Sequence, residues 1–279
     1  MWMVYLNLPY VTGASSICAE GPRAISALER LSIIFGLEGL SDSPQFRVCA
    51  NIVDSLDASP LFTEDNCLDF HLVGNGTAVI AIHGDADIDK PFFAAACGRL
   101  LLTAVQSLNP SERIALHGAL LEEDHCGIAL LAGSGVGKST TMKRHNAVCG
   151  EGIADDWFLL HDTPSGVAAQ VLPTWSRVAH DGHAVFPLKH VVPLKGIGIL
   201  KRADGTRPRM ENIDSLEFYR QAFNSSETLT GLVLRRLPTE YGVAARRHHV
   251  GMIDKLLCDF TPFQYFASLD DSPSNILFH

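Results

Sequence analysis

Basic residues are in the minority in this sequence: 22 Lys and Arg stand against 31 Asp and Glu, and the formal net charge is −9. A protein that binds the phosphate backbone of DNA or RNA does so with clustered basic side chains that release counterions. Because no such excess is present, we expect no nucleic acid as a partner.

The sequence also has no pair of cysteines spaced C-x-x-C. Its seven cysteines are scattered and odd in number, at positions 18, 49, 67, 97, 126, 149 and 258. This pattern favours reduced thiols that pack as small apolar side chains, and it argues against a disulfide framework or a zinc site.

Membrane signals are missing as well. The stretch MWMVYLNLPY has no basic segment ahead of its apolar residues, and no run reaches the roughly 18 apolar residues of a transmembrane helix. We therefore expect a cytoplasmic protein with no membrane contact. With 279 residues and 47% apolar content, the chain can form one large domain or two modest ones.

The best candidate for a domain boundary is the polar stretch LNPSER, 108–113. Ahead of it, TAVIAIHG (77–84) predicts a strand, and the apolar stretch 91–108, which opens with a proline, predicts a helix. We therefore predict a smaller α/β N-terminal region over 1–110, which would bind the acceptor or a partner, and a catalytic domain over 111–279.

Strand and helix signals follow one another closely after this boundary. The runs IALHGALL (114–121) and IALLAG (128–133), joined by a short polar turn, predict a β-hairpin. The segment 139–148 predicts a helix that ends at a C-cap Gly150, and GIADDWFLLH (152–161) predicts a strand that carries two acids. Two later segments also have regular patterns: the strand-like VVPLKGIGIL (191–200) and the helical SLEFYRQAF (215–223).

Between the hairpin and the first of these helices lies the stretch AGSGVGKST, 132–140. It resembles the phosphate-loop pattern G-x-x-x-x-G-K-[ST], in which backbone N–H groups cradle phosphate oxygens, the lysine reaches the outer phosphates and the following hydroxyl binds magnesium. Ala132 replaces the first glycine, which narrows the backbone range at that position. We predict that the loop holds a nucleoside triphosphate. The residues expected to bind it are Gly133, Ser134, Gly135, Val136, Gly137, Lys138, Ser139 and Thr140.

Two adjacent acids, Asp155 and Asp156, lie 17 and 18 residues after Lys138, on the predicted strand. Adjacent residues of a strand face opposite sides, so the two carboxylates are suited to separate roles. In phosphoryl transfer, one carboxylate binds magnesium and another accepts the proton of the acceptor hydroxyl. The residues alone leave open which aspartate takes which role.

A histidine, His117, lies on the predicted strand that precedes the loop. The order LHGALL, AGSGVGKST, ADD resembles the catalytic core of the HPr kinase/phosphorylase family, over residues 114–162 and more loosely over the rest of the C-terminal half. The resemblance implies an α/β fold whose P-loop core and mixed sheet are like those of phosphoenolpyruvate carboxykinase. It also implies ATP and Mg²⁺ as cofactors and a homo-oligomer, since HPr kinases assemble into hexamers.

The same resemblance implies residue roles. Asp155 would be the general base that activates the acceptor hydroxyl, and His117 would assist that carboxylate. Ser139 and Asp156 would hold magnesium, and Lys138 would act on the transferred phosphoryl group.

Two shorter strings, PTWSR (173–177) and VVPLKGIGIL (191–200), are similar to HPr-kinase-like proteins encoded beside radical SAM enzymes and small modified peptides. That group includes the SynChlorMet cassette protein ScmC. Related kinases of lasso-peptide clusters phosphorylate a peptide serine, so the resemblance implies a peptide or small-protein acceptor with Ser or Thr. No segment matches the HPr-recognition part of the true HPr kinases, and HPr itself is not the expected substrate.

Other charged residues carry smaller predictions. Arg177 and Lys195 lie in strand-like apolar surroundings and are candidates for stabilising charge on the transferring phosphoryl group. The cluster RRHH (246–249) predicts a solvated helix face, and HDGH (180–183) predicts a turn rather than a metal site.

Together these features predict a magnesium- and ATP-dependent kinase acting on a hydroxyl of a peptide, a small protein or a free amino acid. One alternative is a nucleotide-gated binding protein with the same loop and no acceptor. Another is a carboxykinase-type enzyme acting on a small keto acid. Protein kinases of the signalling type are excluded because the H-R-D and D-F-G signatures are absent. The donor, ATP or pyrophosphate, is left open.

Overall fold

The chain forms two compact units. The computed structural model describes the following residues: 3–10, 13–73, 76–110, 113–148, 151–203, 207–268 and 273–278. The first unit consists of Met1–Ser111, Pro173–Lys189 and Thr230–Arg246. The second unit consists of Glu112–Leu172, His190–Leu229 and Arg247–His279. The predicted division at 110/111 lies one residue from the break between Ser111 and Glu112, and the later segments 173–189 and 230–246 belong to the first unit. The roles predicted for the two regions stay predictions.

A six-stranded mixed sheet forms the centre of the first unit, in the order β1-β2-β3-β6-β5-β4. β3 pairs in parallel with β2 on one side and with β6 on the other, and the remaining strand pairs are antiparallel. The predicted strand over 77–84 is confirmed as β6. The strands are β1 (Met3–Leu8), β2 (Ser15–Glu20), β3 (Val48–Val53), β4 (Phe62–Glu64), β5 (Leu68–Val73) and β6 (Thr77–Ile82).

Two helices cover this sheet, α1 (Pro22–Ile34) and α2 (Pro91–Leu108). Both begin at a proline, whose fixed φ suits the first helical position, and α2 has the bounds predicted from the sequence. Among the described helices, α2 is the one long and apolar enough to cross a membrane, and 83% of it is buried inside the protein. Arg99, Thr103 and Gln106 interrupt its apolar residues, and α2 packs as a core helix, so the expected absence of a membrane segment stays a prediction.

The short helix α4 (Trp175–His180) explains why 173–189 packs in the first unit. Gly98 of α2 has no Cβ, and the indole of Trp175 lies where that Cβ would be. The indole also meets the ring of Phe35 edge to face at 6.4 Å between centroids. Burial of this large aromatic surface holds the segment against α2.

Eight strands form a mixed sheet in the second unit, in the order β11-β10-β7-β8-β12-β14-β13, with β9 paired to β7. β12 pairs in parallel with β8 and β14, and the first residues of β12 also pair with β11. The strands from β11 to β12 therefore close into a ring. The strands are β7 (Arg113–Glu123), β8 (Cys126–Leu131), β9 (Glu151–Ala154), β10 (Trp157–Thr163), β11 (Gly166–Val171), β12 (Val191–Arg202), β13 (Arg209–Asn212) and β14 (Phe263–Ala267).

The predicted hairpin is confirmed as β7 and β8, which are antiparallel. Their connecting residues Asp124 and His125 both have positive φ, 49° and 62°. Two consecutive residues of this kind make the turn type whose twist matches that of paired strands, and aspartate is one of the residues that tolerate it.

The remaining helices are α3 (Lys138–Asn146), α5 (Ser215–Leu234), α6 (Thr239–Asp259) and α7 (Ser274–Leu277). α3 ends two residues before the predicted end of that helix, and its C-cap is Ala147. The predicted cap Gly150 and the neighbouring Cys149 lie outside the described residues. The six cysteines that the structure describes are free thiols.

Gly118 of β7 is a position where the fold allows no side chain. A Cβ there would meet the carbonyl oxygen of Leu130 and, at 3.0 Å, the ring of Phe158. We expect Gly118→Ala to lower the free energy of unfolding by about 1–3 kcal/mol, the usual range for overpacking. Gly251 of α6 is the matched control, because a Cβ there meets nothing within 4 Å.

Urea denaturation of both variants checks this prediction. Gly251→Ala should leave stability unchanged or raise it by up to about 1 kcal/mol, as alanine favours a helix over glycine. Equal stability of the Gly118→Ala variant and the wild-type protein would mean that β7 and β8 do not pack this closely.

Candidate functional site

The glycine loop joins the end of β8 to the start of α3. Ala132, which replaces the first glycine of the pattern, is 8% exposed and packs its methyl group in the apolar core of the unit. Gly135 and Gly137 have φ of 77° and 113°, a backbone region that suits glycine, and Gly137 forms the N-cap of α3. Alanine is therefore tolerated at position 132, because the backbone there does not need a positive φ. The loop takes its shape from Gly135 and Gly137 instead.

The first turn of α3 presents unused backbone donors. Its first helical hydrogen bond runs from the N–H of Thr141 to the carbonyl of Gly137. The N–H groups of the preceding residues have no partner within the helix, and the side chains of Ser139 and Thr140 are exposed beside them. Such a helix start, with its positive dipole end, fits a phosphate group.

Lys138 lies across the loop and is buried, with 8% of its surface exposed. Its Nζ donates to the carbonyl oxygens of Gly133 at 2.9 Å and Ala132 at 3.4 Å. Burial lowers the pKa of the Lys138 ammonium below its ordinary value, and the nearby carboxylates of Asp156 and Asp155 oppose that shift. The lysine and both aspartates therefore interact electrostatically around the loop.

The two aspartates lie in a bend, between the end of β9 and the start of β10, and not inside one strand. The single strand predicted over 152–161 was therefore wrong: both shorter strands pair with β7, and the chain bends where it passes from one pairing to the other. The N–H of Gly118 donates to the backbone carbonyl of Asp156 at 2.8 Å, which anchors the bend. The rule that adjacent residues of a strand face opposite sides therefore does not apply to Asp155 and Asp156.

His117 contacts one of the two aspartates directly. Its Nε2 lies 2.9 Å from Oδ1 of Asp156, and the two side chains are 13% and 24% exposed. The resemblance to HPr kinases instead implied that His117 assists Asp155. The structure couples the histidine to the neighbouring residue, a difference of one position that bears on the assignment of roles.

Ser225 of α5 holds the backbone of His117 at both ends. The N–H of His117 donates to Oγ of Ser225 at 2.6 Å, and that hydroxyl donates to the carbonyl oxygen of His117 at 3.0 Å. Sequence reasoning missed this residue because the helix predicted over 215–223 stopped short of it. A signal was present: Gln221, Asn224, Ser225 and Thr228 follow the three- and four-residue spacing of one helix face.

Two pockets flank the glycine loop, one at each end. The hydroxyl pocket, as we call the first, has a volume of about 100 Å³ and is lined by polar residues of α5 together with His117 and Gly133. The arginine pocket has a volume of about 170 Å³ and lies against the other side of the loop and α3. Its charged lining residues are Arg144 and Arg202.

The described residues contain no group of three or more His, Cys, Asp or Glu side chains that could hold a metal by themselves. Magnesium in nucleotide sites needs no such cage, because it takes one or two protein ligands and completes its shell with phosphate oxygens and water. The exposed hydroxyl of Ser139 and the aspartate pair near Lys138 fit this requirement.

The remaining predicted candidates lie elsewhere. Arg177 belongs to α4 in the first unit, where its guanidinium lies 5.8 Å from the ring centroid of Phe186. Lys195 is exposed and its Nζ donates to the carbonyl of Phe278 at 2.9 Å, so neither residue has the buried strand environment that suggested a catalytic charge. α4 ends at His180, and residues 181–183 form the predicted turn after it. The segment 246–249 is helical as predicted but not a fully solvated face, because His249 is 3% exposed.

The second unit is thus part of a mixed α/β protein that brings a glycine loop, a His–Asp pair and a second aspartate to one place. Residues 85–236 match the protein family described as SynChlorMet cassette protein ScmC. The match covers more than half of the chain, and the protein belongs to this family. The likeness to ScmC predicted from 173–177 and 191–200 is confirmed, while the likeness to HPr kinases stays a prediction. The matched stretch contains the loop, the aspartate pair, His117 and Ser225. No curated protein matches the chain.

Proposed function

We propose that this protein is a magnesium- and ATP-dependent kinase that transfers the γ-phosphoryl group to a Ser or Thr hydroxyl of a peptide or small protein. The observation that carries the proposal is that Asp156 lies 2.9 Å from Nε2 of His117 and, with Asp155, interacts electrostatically with the loop lysine. The resemblance to HPr kinases, and through them to phosphoenolpyruvate carboxykinase, supports a P-loop core of that kind.

We assign the general base to Asp156 and the magnesium-side carboxylate to Asp155, the reverse of the roles implied by the family resemblance. His117 is the residue expected to assist the base, and its Nε2 lies 2.9 Å from Asp156. An imidazole N–H that donates to a carboxylate orients it and stabilises its charge. Asp155 and Ser139 would then hold the magnesium ion.

The reaction follows from these placements. Asp156 accepts the proton of the acceptor hydroxyl, the hydroxyl oxygen forms a bond to the γ-phosphorus, and the bond from that phosphorus to the bridging oxygen of ADP breaks. Lys138 leaves its loop carbonyls for the outer phosphates and neutralises charge there. Magnesium, when bound, supplies further charge neutralisation and orients the phosphates.

The hydroxyl pocket supports the position of the acceptor. It is lined by His117 and by Gly133, whose carbonyl accepts a hydrogen bond from Lys138. In the proposed reaction the transferred phosphoryl group lies at this end of the loop. Its α5 lining consists of amide and hydroxyl side chains, Gln221, Asn224, Ser225 and Thr228. A neutral polar lining of this kind suits a hydroxyl-bearing side chain better than a keto acid, which needs cationic partners.

Label transfer tests the proposal. The purified protein is incubated with magnesium and γ-labelled ATP, together with peptides that contain Ser or Thr and with the free amino acids, and labelled products are identified by mass spectrometry. A label on a hydroxyl is the expected result. ATP binding without any labelled acceptor would instead favour a nucleotide-gated binding protein.

The His–Asp pair gives a further prediction. We expect His117→Ala to lower the transfer rate by about 10- to 100-fold, somewhat less than the loss of a direct general base, with ATP affinity unchanged. Initial rates and ATP titrations check this. Gln170→Ala removes the hydrogen-bond partner of a different buried histidine of the unit, His161, and controls for a merely structural effect. Equal rate losses in both variants would contradict a specific role for His117.

A further inference from the structure

We propose that the arginine pocket binds the nucleoside part of the phosphoryl donor, with the guanidinium of Arg202 stacked on the base. The inference rests on the proposed function and deepens it, because it makes the donor a nucleoside triphosphate and excludes pyrophosphate. It follows from the position of the pocket along the loop, from the chemistry of its lining and from its size.

The direction of the bound donor follows from the two ends of the loop. Lys138, the aspartate pair and His117 mark one end, where the γ-phosphoryl group must lie in order to react. The arginine pocket is lined by Gly135, Gly137 and Thr140 and continues along α3 through Thr141 and Arg144. A triphosphate that runs along the loop away from Lys138 therefore directs its nucleoside into this pocket.

Two arginines from different elements face the pocket. Arg144, on α3, is held by a hydrogen bond from its Nη1 to the carbonyl of Ser268, which is 3% exposed. Arg202, at the end of β12, is exposed and lies opposite Ala267 in the parallel pairing with β14. The fixed Arg144 forms the wall of the pocket, and the planar guanidinium of Arg202 is able to stack on an aromatic ring.

The size of the pocket points to part of a nucleotide. Its volume of about 170 Å³ is below the 300–1,000 Å³ typical of pockets that enclose a whole drug-sized ligand. The open loop and the first turn of α3 hold the phosphates outside it, so the pocket has to accept only the base and part of the ribose. Pyrophosphate would leave it empty.

Two ligands separate base binding from phosphate binding: magnesium–ATP and magnesium with inorganic tripolyphosphate, each titrated into the full chain by calorimetry. We expect Arg202→Ala to weaken ATP binding by about 5- to 20-fold, the range for a stacked cation. Tripolyphosphate binding should change by less than about twofold, since Arg202 does not touch the phosphates in this arrangement. Arg202→Lys should behave like Arg202→Ala, because lysine keeps the charge but loses the planar stack.

The control is Arg247→Ala, which removes an exposed arginine of α6 that does not line the pocket. Its affinities for both ligands should equal those of the wild-type protein. An equal loss for ATP and tripolyphosphate in Arg202→Ala would place Arg202 on a phosphate and overturn the inference, as would unchanged ATP binding. A wild-type protein that binds neither ligand would overturn the proposed function itself, so the two failures are distinguishable.

Discussion

Asp156→Asn should lower phosphoryl transfer by at least about 10³-fold, while ATP affinity stays within a few-fold. The amide has the shape of the carboxylate and can still accept the N–H of His117, but it cannot take the proton of the acceptor hydroxyl. Transfer rates under saturating ATP, together with equilibrium binding of ATP, measure the two effects separately. Asp162→Asn is the matched control, because Asp162 lies on the adjoining strand β10, pairs with Lys255 of α6 at 3.6 Å and lines neither pocket beside the loop.

Asp155→Asn completes this test. If Asp155 acts with Ser139 on the side of the metal, the variant should need a higher magnesium concentration for half-maximal rate and recover part of its activity there. The opposite pattern, full activity in Asp156→Asn and a loss in Asp155→Asn that magnesium does not relieve, would restore the roles implied by the family resemblance.

Lys138→Ala should damage both binding and transfer. A charge-assisted hydrogen bond to a phosphate contributes about 1.5–3 kcal/mol, so ATP affinity should fall by about 10- to 150-fold. Transfer should become undetectable, because the lysine also neutralises charge that develops on the transferring group. Lys143→Ala removes an exposed lysine of the same helix and should leave both quantities unchanged. An active Lys138→Ala variant would remove the loop from the mechanism.

The environment of Lys138 also sets the direction of a pH effect on nucleotide binding. Burial lowers the pKa of Lys138, and the two carboxylates oppose the change. A lowered pKa in the folded protein favours the neutral amine, so this desolvation works against the charged form that binds phosphate. A bound triphosphate would raise the pKa of Lys138 again. Nucleotide binding should therefore be accompanied by proton uptake when it is measured at a pH close to the pKa of Lys138 in the free protein.

The parts of the fold that could be predicted were those with local signals. The loop between β8 and α3, the β7–β8 hairpin and α2 each have a periodic pattern, a turn or a proline within a few residues. The proposed phosphate-binding role of the loop stays a prediction. Gly135 and Gly137, whose backbone is left-handed, are also part of the sequence pattern of the loop.

The parts that could not be predicted depend on contacts distant in sequence. The bend at Asp155 and Asp156 arises because β9 and β10 pair with different stretches of one strand, which no local pattern records. Ser225 bonds His117 across 108 residues. Similarly, 173–189 joins the first unit because Trp175 fills the space beside Gly98. Pairing and close packing of this kind override local propensity.

We propose that the loop and the aspartate pair form a site for magnesium and a nucleoside triphosphate. Calorimetric titration of the wild-type protein with ATP, with and without magnesium, tests it most directly. We expect one saturable site with an affinity in the micromolar range, at least about tenfold weaker when EDTA removes the metal. No binding at millimolar ATP with magnesium present, or the same affinity with EDTA, would contradict the claim.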